Sequence, residues 1–148
     1  MRQLVYALRF EGRAEAVGQV GGALRVIARA PGGRLTTGLG PSGLTAGWAM
    51  EPGEVARLES EVTFTGQTSF QEIGVINVGR DHGLRFATVG IGYLAPSRVS
   101  GWRQGAVTWR VVEGHGQFTG VGGLISSNIL LDEHLGVISQ HLGVLLLP

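Results

Sequence analysis

The feature that most limits what this chain can fold into is the spacing of its apolar residues. They recur at every second position in short runs, and no stretch of ten residues carries the three-to-four-residue spacing of a helix. Such runs cover Gln3 to Phe10, Ala23 to Ala30, Leu35 to Leu39, Leu44 to Ala49, Val55 to Thr65, Thr68 to Val78, Leu84 to Leu94, Gly105 to Val112, Gly123 to Leu131 and Gly136 to Leu147. Between them stand Pro31-Gly32-Gly33, Gly40-Pro41-Ser42-Gly43, Pro52-Gly53, Gly66, Gly79-Arg80-Asp81-His82-Gly83 and Pro96-Ser97. Glycine reaches positive φ cheaply and proline pre-sets the first corner of a turn, so these read as tight connections. Eight to ten short strands without helices between them predict an all-β fold, and closure into a ring leaves no unpaired edge. The expected architecture is a single antiparallel β-barrel over residues 1–148.

Alternation also sorts residues between the faces. Leu58, Ser60, Val62 and Phe64 share one face, with Glu59, Glu61, Thr63 and Thr65 on the other, and Val107, Trp109 and Val111 fall together in the same way. The last two strands break this pattern. Gly123 to Leu131 and Leu142 to Leu147 are apolar on both faces, and only one face of a barrel strand looks inward. With no helix to cover the second face, a homo-oligomer, dimer or trimer, built on these strands is expected.

Charge and composition remove several functions. The formal net charge is +1, and the twelve basic residues are all arginine, scattered from Arg2 to Arg110. A chain so composed lacks the basic patch of a nucleic-acid binder. Without lysine there is no Schiff-base amine and no phosphate-loop lysine, and without cysteine no disulfide, thiolate nucleophile or sulfur-ligated metal. Arg9 and Glu11 interrupt the first apolar run, and no run approaches the roughly 20 residues that span a bilayer as a helix. A cytoplasmic protein without a membrane partner is expected.

The segment Glu113-Gly114-His115-Gly116-Gln117-Phe118-Thr119-Gly120-Val121-Gly122-Gly123 has the pattern G-x-G-x-F-x-G-x-x-G between two strong strands. It is no nucleotide loop, because a strand follows it where a phosphate-binding loop needs a helix N-terminus. It reads as a tight hairpin with Phe118 plugging one end of the barrel. This turn, with the strand Gly105 to Val112 before it, resembles that of the allene oxide cyclase and dirigent barrels. The likeness covers about residues 105 to 130. It implies an eight-stranded, oligomeric barrel that binds hydrophobic small molecules and steers their cyclisation or coupling. The chain departs from the plant cyclases in having no cysteine, so their site residues are not carried over.

Candidate site residues are polar groups stranded in apolar runs, since burying one unpaired costs about 1–3 kcal/mol. Glu72 shares a face with Phe70, Ile76 and Val78, where burial would raise its pKa and suit it to general acid/base work; pairing with Arg85 on the next strand is the structural alternative. Glu59 and Glu61 read as a solvated outer pair. Asn128, on an apolar strand, needs a partner, and His141 is the best placed of the four histidines to face it across the hairpin. Tyr93 completes the catalytic set. The aromatic residues Trp48, Phe70, Phe86, Trp102 and Trp109 are expected to line a ligand cavity, with 96–101 as a lid near Trp102. No metal and no cofactor are expected, the histidines having no ligand spacing. The leading expectation is a cofactor-independent cyclase, isomerase or lyase acting on a hydrophobic small molecule in the lumen, in natural-product biosynthesis. A non-catalytic carrier or sensor of such a molecule is the alternative, and a filled barrel with a purely structural role is a third.

Overall fold

The computed structural model describes residues 1–18 and 22–148. Its strands are β1 (Arg2–Val17), β2 (Ala23–Gly40), β3 (Gly43–Phe64), β4 (Ser69–Val78), β5 (His82–Thr88), β6 (Gly92–Pro96), β7 (Trp102–His115), β8 (Gly122–Asp132) and β9 (Gly136–Leu147), with one 3-10 turn at Gly116–Phe118. All pairings are antiparallel, and the order β3-β2-β1-β9-β8-β7-β5-β4 is closed by pairing of β3 with β4. The short strand β6 continues β5 after a bend and also pairs with β4 and β7, so the two share one position of an eight-membered ring. The all-β barrel expected from the alternation is therefore present.

Two expected strand pairs merge. Ala23–Ala30 with Leu35–Leu39, and Leu44–Ala49 with Val55–Thr65, become the long strands β2 and β3, while the expected strand Leu84–Leu94 divides into β5 and β6. The Pro31-Gly32-Gly33 and Pro52-Gly53 stretches oppose each other: Pro31 pairs with Val55 and Gly33 with Met50, with a register shift between. The irregularity is a bulge, where proline and glycine are tolerated, and the ladder continues beyond it. Residues 31–55 thereby project from the lower end of the barrel as a two-stranded arm. Leu35, Thr37, Leu39, Leu44, Ala46, Trp48 and Met50 share one of its faces by register, and Leu39 and Met50 are 86% and 74% exposed. No charged residue stands between Leu35 and Met50.

One hydrophobic cluster fills the ring. Its middle is aromatic: Phe86 stacks on Trp109 at 4.2 Å, Trp109 meets the His141 ring edge-on at 4.9 Å, and His141 lies 4.5 Å from Phe10. Phe118 is buried in the lower end, as its position in the glycine-rich turn predicts. That turn needs glycine at Gly116, which has φ of 65° and packs against the backbone of Asp81. At the upper end the 97–101 connection is tied by Ser97 N–H to Trp102 O (2.8 Å), Trp102 N–H to Val99 O (3.2 Å) and Val99 N–H to Ser97 Oγ (3.1 Å), a closed turn. Outside the ring, Val5, Val144 and Leu124 form a cross-strand row over β1, β9 and β8, flanked by exposed Leu142 and Leu146. No helix among the described residues is long and apolar enough to cross a membrane.

Candidate functional site: a polar cluster in the barrel interior

Among the described residues, five polar ones occupy inward positions and are buried: Ser60 on β3, Glu72 on β4, Ser127 on β8, and Ser139 and His141 on β9. Register places Glu72 opposite Val62, one inward step from Ser60, whose hydroxyl donates to Glu72 Oε1 at 2.5 Å. The backbone of Glu72 is pinned as well. Its N–H donates to Thr88 Oγ1 at 2.7 Å, and that hydroxyl donates back to Glu72 O at 2.9 Å. The second carboxylate oxygen, Oε2, is buried without a partner, and so is the Trp109 indole N–H, which faces the same carboxylate from beyond hydrogen-bonding geometry. Burial pushes the Glu72 carboxyl up to about 7, against smaller opposing effects of the Ser60 and Trp109 donors. A carboxyl so placed exchanges its proton near neutral pH.

His141 sits in the aromatic layer, with Nε2 2.9 Å from Ser139 Oγ, which in turn lies 2.6 Å from Ser127 Oγ. Nδ1 has no partner. Burial pulls the ring down to about 3, so the imidazole is neutral at physiological pH. The Ser127–Ser139–His141 chain is thus a relay of neutral donors and acceptors, and Glu72 is the group that changes charge.

The aromatic layer separates two spaces. Above it is an apolar cavity of about 40 Å³ lined by Leu58, Val62, Phe70, Leu94 and Leu131 among others, into which Glu72 and Ser139 bring the polar groups. Below it the barrel opens in a cavity of about 550 Å³ bounded by Tyr6, Leu8, Ile76, Leu84, Phe118 and the base of the arm. The Tyr6 ring lies flat against Gly143, where any side chain would collide with it. Its hydroxyl is buried without a partner, and burial raises its pKa above the ordinary phenol value.

Of the residues singled out by sequence, Glu72 and His141 are inward and buried, Phe70 lines the upper cavity, and Phe86 and Trp109 fill the middle. Others lie elsewhere. Tyr93 is 56% exposed on the outer face of β6, opposite Ala106. Asn128 is exposed and pairs with Gln140, while the residue across from His141 is Ser127. The expectation that Asn128 faces His141 is therefore corrected by one residue: on a strand apolar on both sides, alternation does not say which side is inside. Trp48 lies on the arm against Gly33, and Trp102 is half-buried at the upper end of β7; neither lines either cavity. Arg85 pairs with Glu113 on the outside at 2.9 Å, leaving Glu72 to Ser60, and Glu59 meets Arg57 and Arg25 on the outer surface. Ser127, Ser139 and Tyr6 escape the sequence reading because hydroxyls are common in strands, although Ser60 is already placed inward by the alternation of β3.

Compared with known proteins, the chain matches no family model, no curated protein and no solved structure.

Proposed function

We propose that the barrel is a cofactor-independent enzyme that moves a proton on an apolar small molecule, an isomerase or cyclase in reaction type, with Glu72 as the general acid/base. The observation that carries this reading is Glu72 itself: one oxygen is held by Ser60, and the other is buried without a partner beside a small apolar cavity, on a carboxyl poised near pH 7. The upper cavity, about 40 Å³, admits only a small reactive group of the substrate, and its dry walls strengthen the carboxylate as a base. The Ser139 hydroxyl, already tied to His141, is available there to an oxygen of the substrate. The likeness of the Gly114–Gly123 turn to the cyclase and dirigent barrels agrees with this chemistry. The doubly apolar β8 and β9 support assembly of the barrel into an oligomer.

The test is base-promoted opening of 5-nitrobenzisoxazole, a small carbon acid whose ring C–H is removed as the N–O bond breaks, releasing a coloured phenolate. Turnover is expected to rise with pH through about 7 and to fall to the background rate in Glu72→Gln. Equal rates for the two proteins would refute Glu72 as a base. Binding of the compound without turnover would favour the carrier reading.

A further inference from the structure

Two apolar surfaces of this chain are left bare, and both lie on one side of it. On the arm, Leu35, Leu39, Leu44, Trp48 and Met50 share a face, and Leu39, Leu44 and Met50 are mostly exposed. On the barrel wall, Val5, Leu124, Leu142, Val144 and Leu146 stand outward on β1, β8 and β9. Each patch is on the order of a few hundred Å², the size that marks an interaction site on a soluble protein. Neither contains a charged residue. Trp48 and Met50 line an outer groove with Arg9, Glu11 and Arg29. Alternation puts Arg9 and Glu11 on the same face of β1 as Val5, so the two patches flank the Arg9–Glu11 ion pair on one outer surface.

We propose that these surfaces cover each other in a twofold dimer: the arm of one copy lies across the β1-β9-β8 wall of a second, whose own arm lies across the wall of the first. This rests on the assembly read from β8 and β9, and it supplies the surface that meets them. Two different patches on one side of a molecule are what a twofold axis needs to pair each with the other. The arm is long enough: eight residues per strand over 35–50 reach about 26 Å, whereas three neighbouring strands are only about 10 Å across. The two contacts together withdraw roughly 1,500 Å² from water, the size of a standard stable interface. A lipid surface suits the arm less well. Among the described residues, 33–40 pair only with β3 and 43–50 only with β2, so both outer edges of the ribbon carry backbone groups that need water. Laid flat on a protein wall, the ribbon keeps both edges wet.

Sedimentation velocity on the intact chain tests this, with a dimer expected for wild type at micromolar concentration. Replacing residues 35–50 by Asn-Gly should give a monomer. Leu39→Lys with Leu44→Lys, both exposed in the single chain, should weaken dimerisation about a hundredfold or more, and this pair decides if the deletion variant does not fold. Circular dichroism of the lysine variant should match wild type, because the arm contributes no residue to the central cluster. The chain has no cysteine, so Leu39→Cys and Val144→Cys proteins can be mixed and joined by a short bismaleimide. Cross-links should connect the two variants to each other. A monomeric wild type overturns this inference together with the assembly it rests on. A dimer unchanged by the lysine pair, or Val144→Cys joined chiefly to itself, overturns arm docking alone and leaves two walls packed face to face. A monomeric wild type that floats with phosphatidylcholine vesicles, and ceases to float with the lysine pair, overturns the dimer in favour of lipid. None of these readouts involves Glu72, so the benzisoxazole assay succeeds or fails separately.

Discussion

At the scale of single residues, Glu72 and His141 are displaced in opposite directions by the same cause. Burial raises the carboxyl to about 7 and lowers the imidazole to about 3, so both are neutral in the folded barrel over most of the acid range. The linkage signs then differ. Between about 4.5, where the unfolded carboxyl ionises, and 7, the folded state holds one proton more at Glu72, and stability falls as pH rises by about 3 kcal/mol. From 6.5 down to 3 the unfolded state holds one proton more at His141, and stability falls as pH drops by about 5 kcal/mol. The two slopes cancel where they overlap. Urea denaturation of the wild type should show no contribution from this pair between pH 4.5 and 6.5. His141→Gln should fall in stability across that window relative to wild type, and Glu72→Gln should rise. Parallel curves for all three proteins would show that neither group is buried as described. The outer ion pair of Arg85 and Glu113 is a contrast: its groups are 63% and 65% exposed, and a double-mutant cycle there should give no more than about 1 kcal/mol.

At the scale of elements, the arm formed by residues 31–55 contributes nothing to the central cluster, which runs from Ala30 directly to Ala56 in the sequence of its buried members. Replacing residues 35–50 with a two-residue Asn-Gly turn should therefore leave the barrel's stability within about 1 kcal/mol of wild type in chemical denaturation, a surface-level change. A large loss would mean that the arm packs on the barrel. The arm was legible as two strands but not as one continuous ribbon. Pro31-Gly32-Gly33 and Pro52-Gly53 have the composition of turns, and only their placement opposite each other makes them a bulge. The bend at 89–91 shows the reverse: Val89, Gly90 and Ile91 carry on an apolar run in sequence, yet the ladder breaks there as the chain passes from β5 to β6.

At the scale of the whole molecule, the aromatic layer decides what the interior can hold. Trp109 is fully buried, and Trp109→Ala should cost about 3–5 kcal/mol while opening a cavity in the middle of the barrel. Added indole should then raise the melting temperature of that variant and not of the wild type; no such rescue would mean that the ring collapses around the vacancy. The row Val5–Val144–Leu124 on the outside belongs to the same scale. If barrels assemble through it, Val144→Lys should shift sedimentation toward a smaller species, and identical sedimentation of variant and wild type would place any assembly elsewhere. The period-two alternation, with glycine and proline between the runs, was sufficient for the strands, their antiparallel class, the inward placement of Ser60 and Glu72 and the Phe118 plug, because pleating and turn geometry are local. The choice of Ser127 over Asn128 as the partner of His141, the outward position of Tyr93 and the orphaned Tyr6 hydroxyl were decided by tertiary structure. Each depends on which strand lies alongside which, and in which register, and register is set by pairing between residues as much as 145 positions apart, such as Arg2 and Leu147.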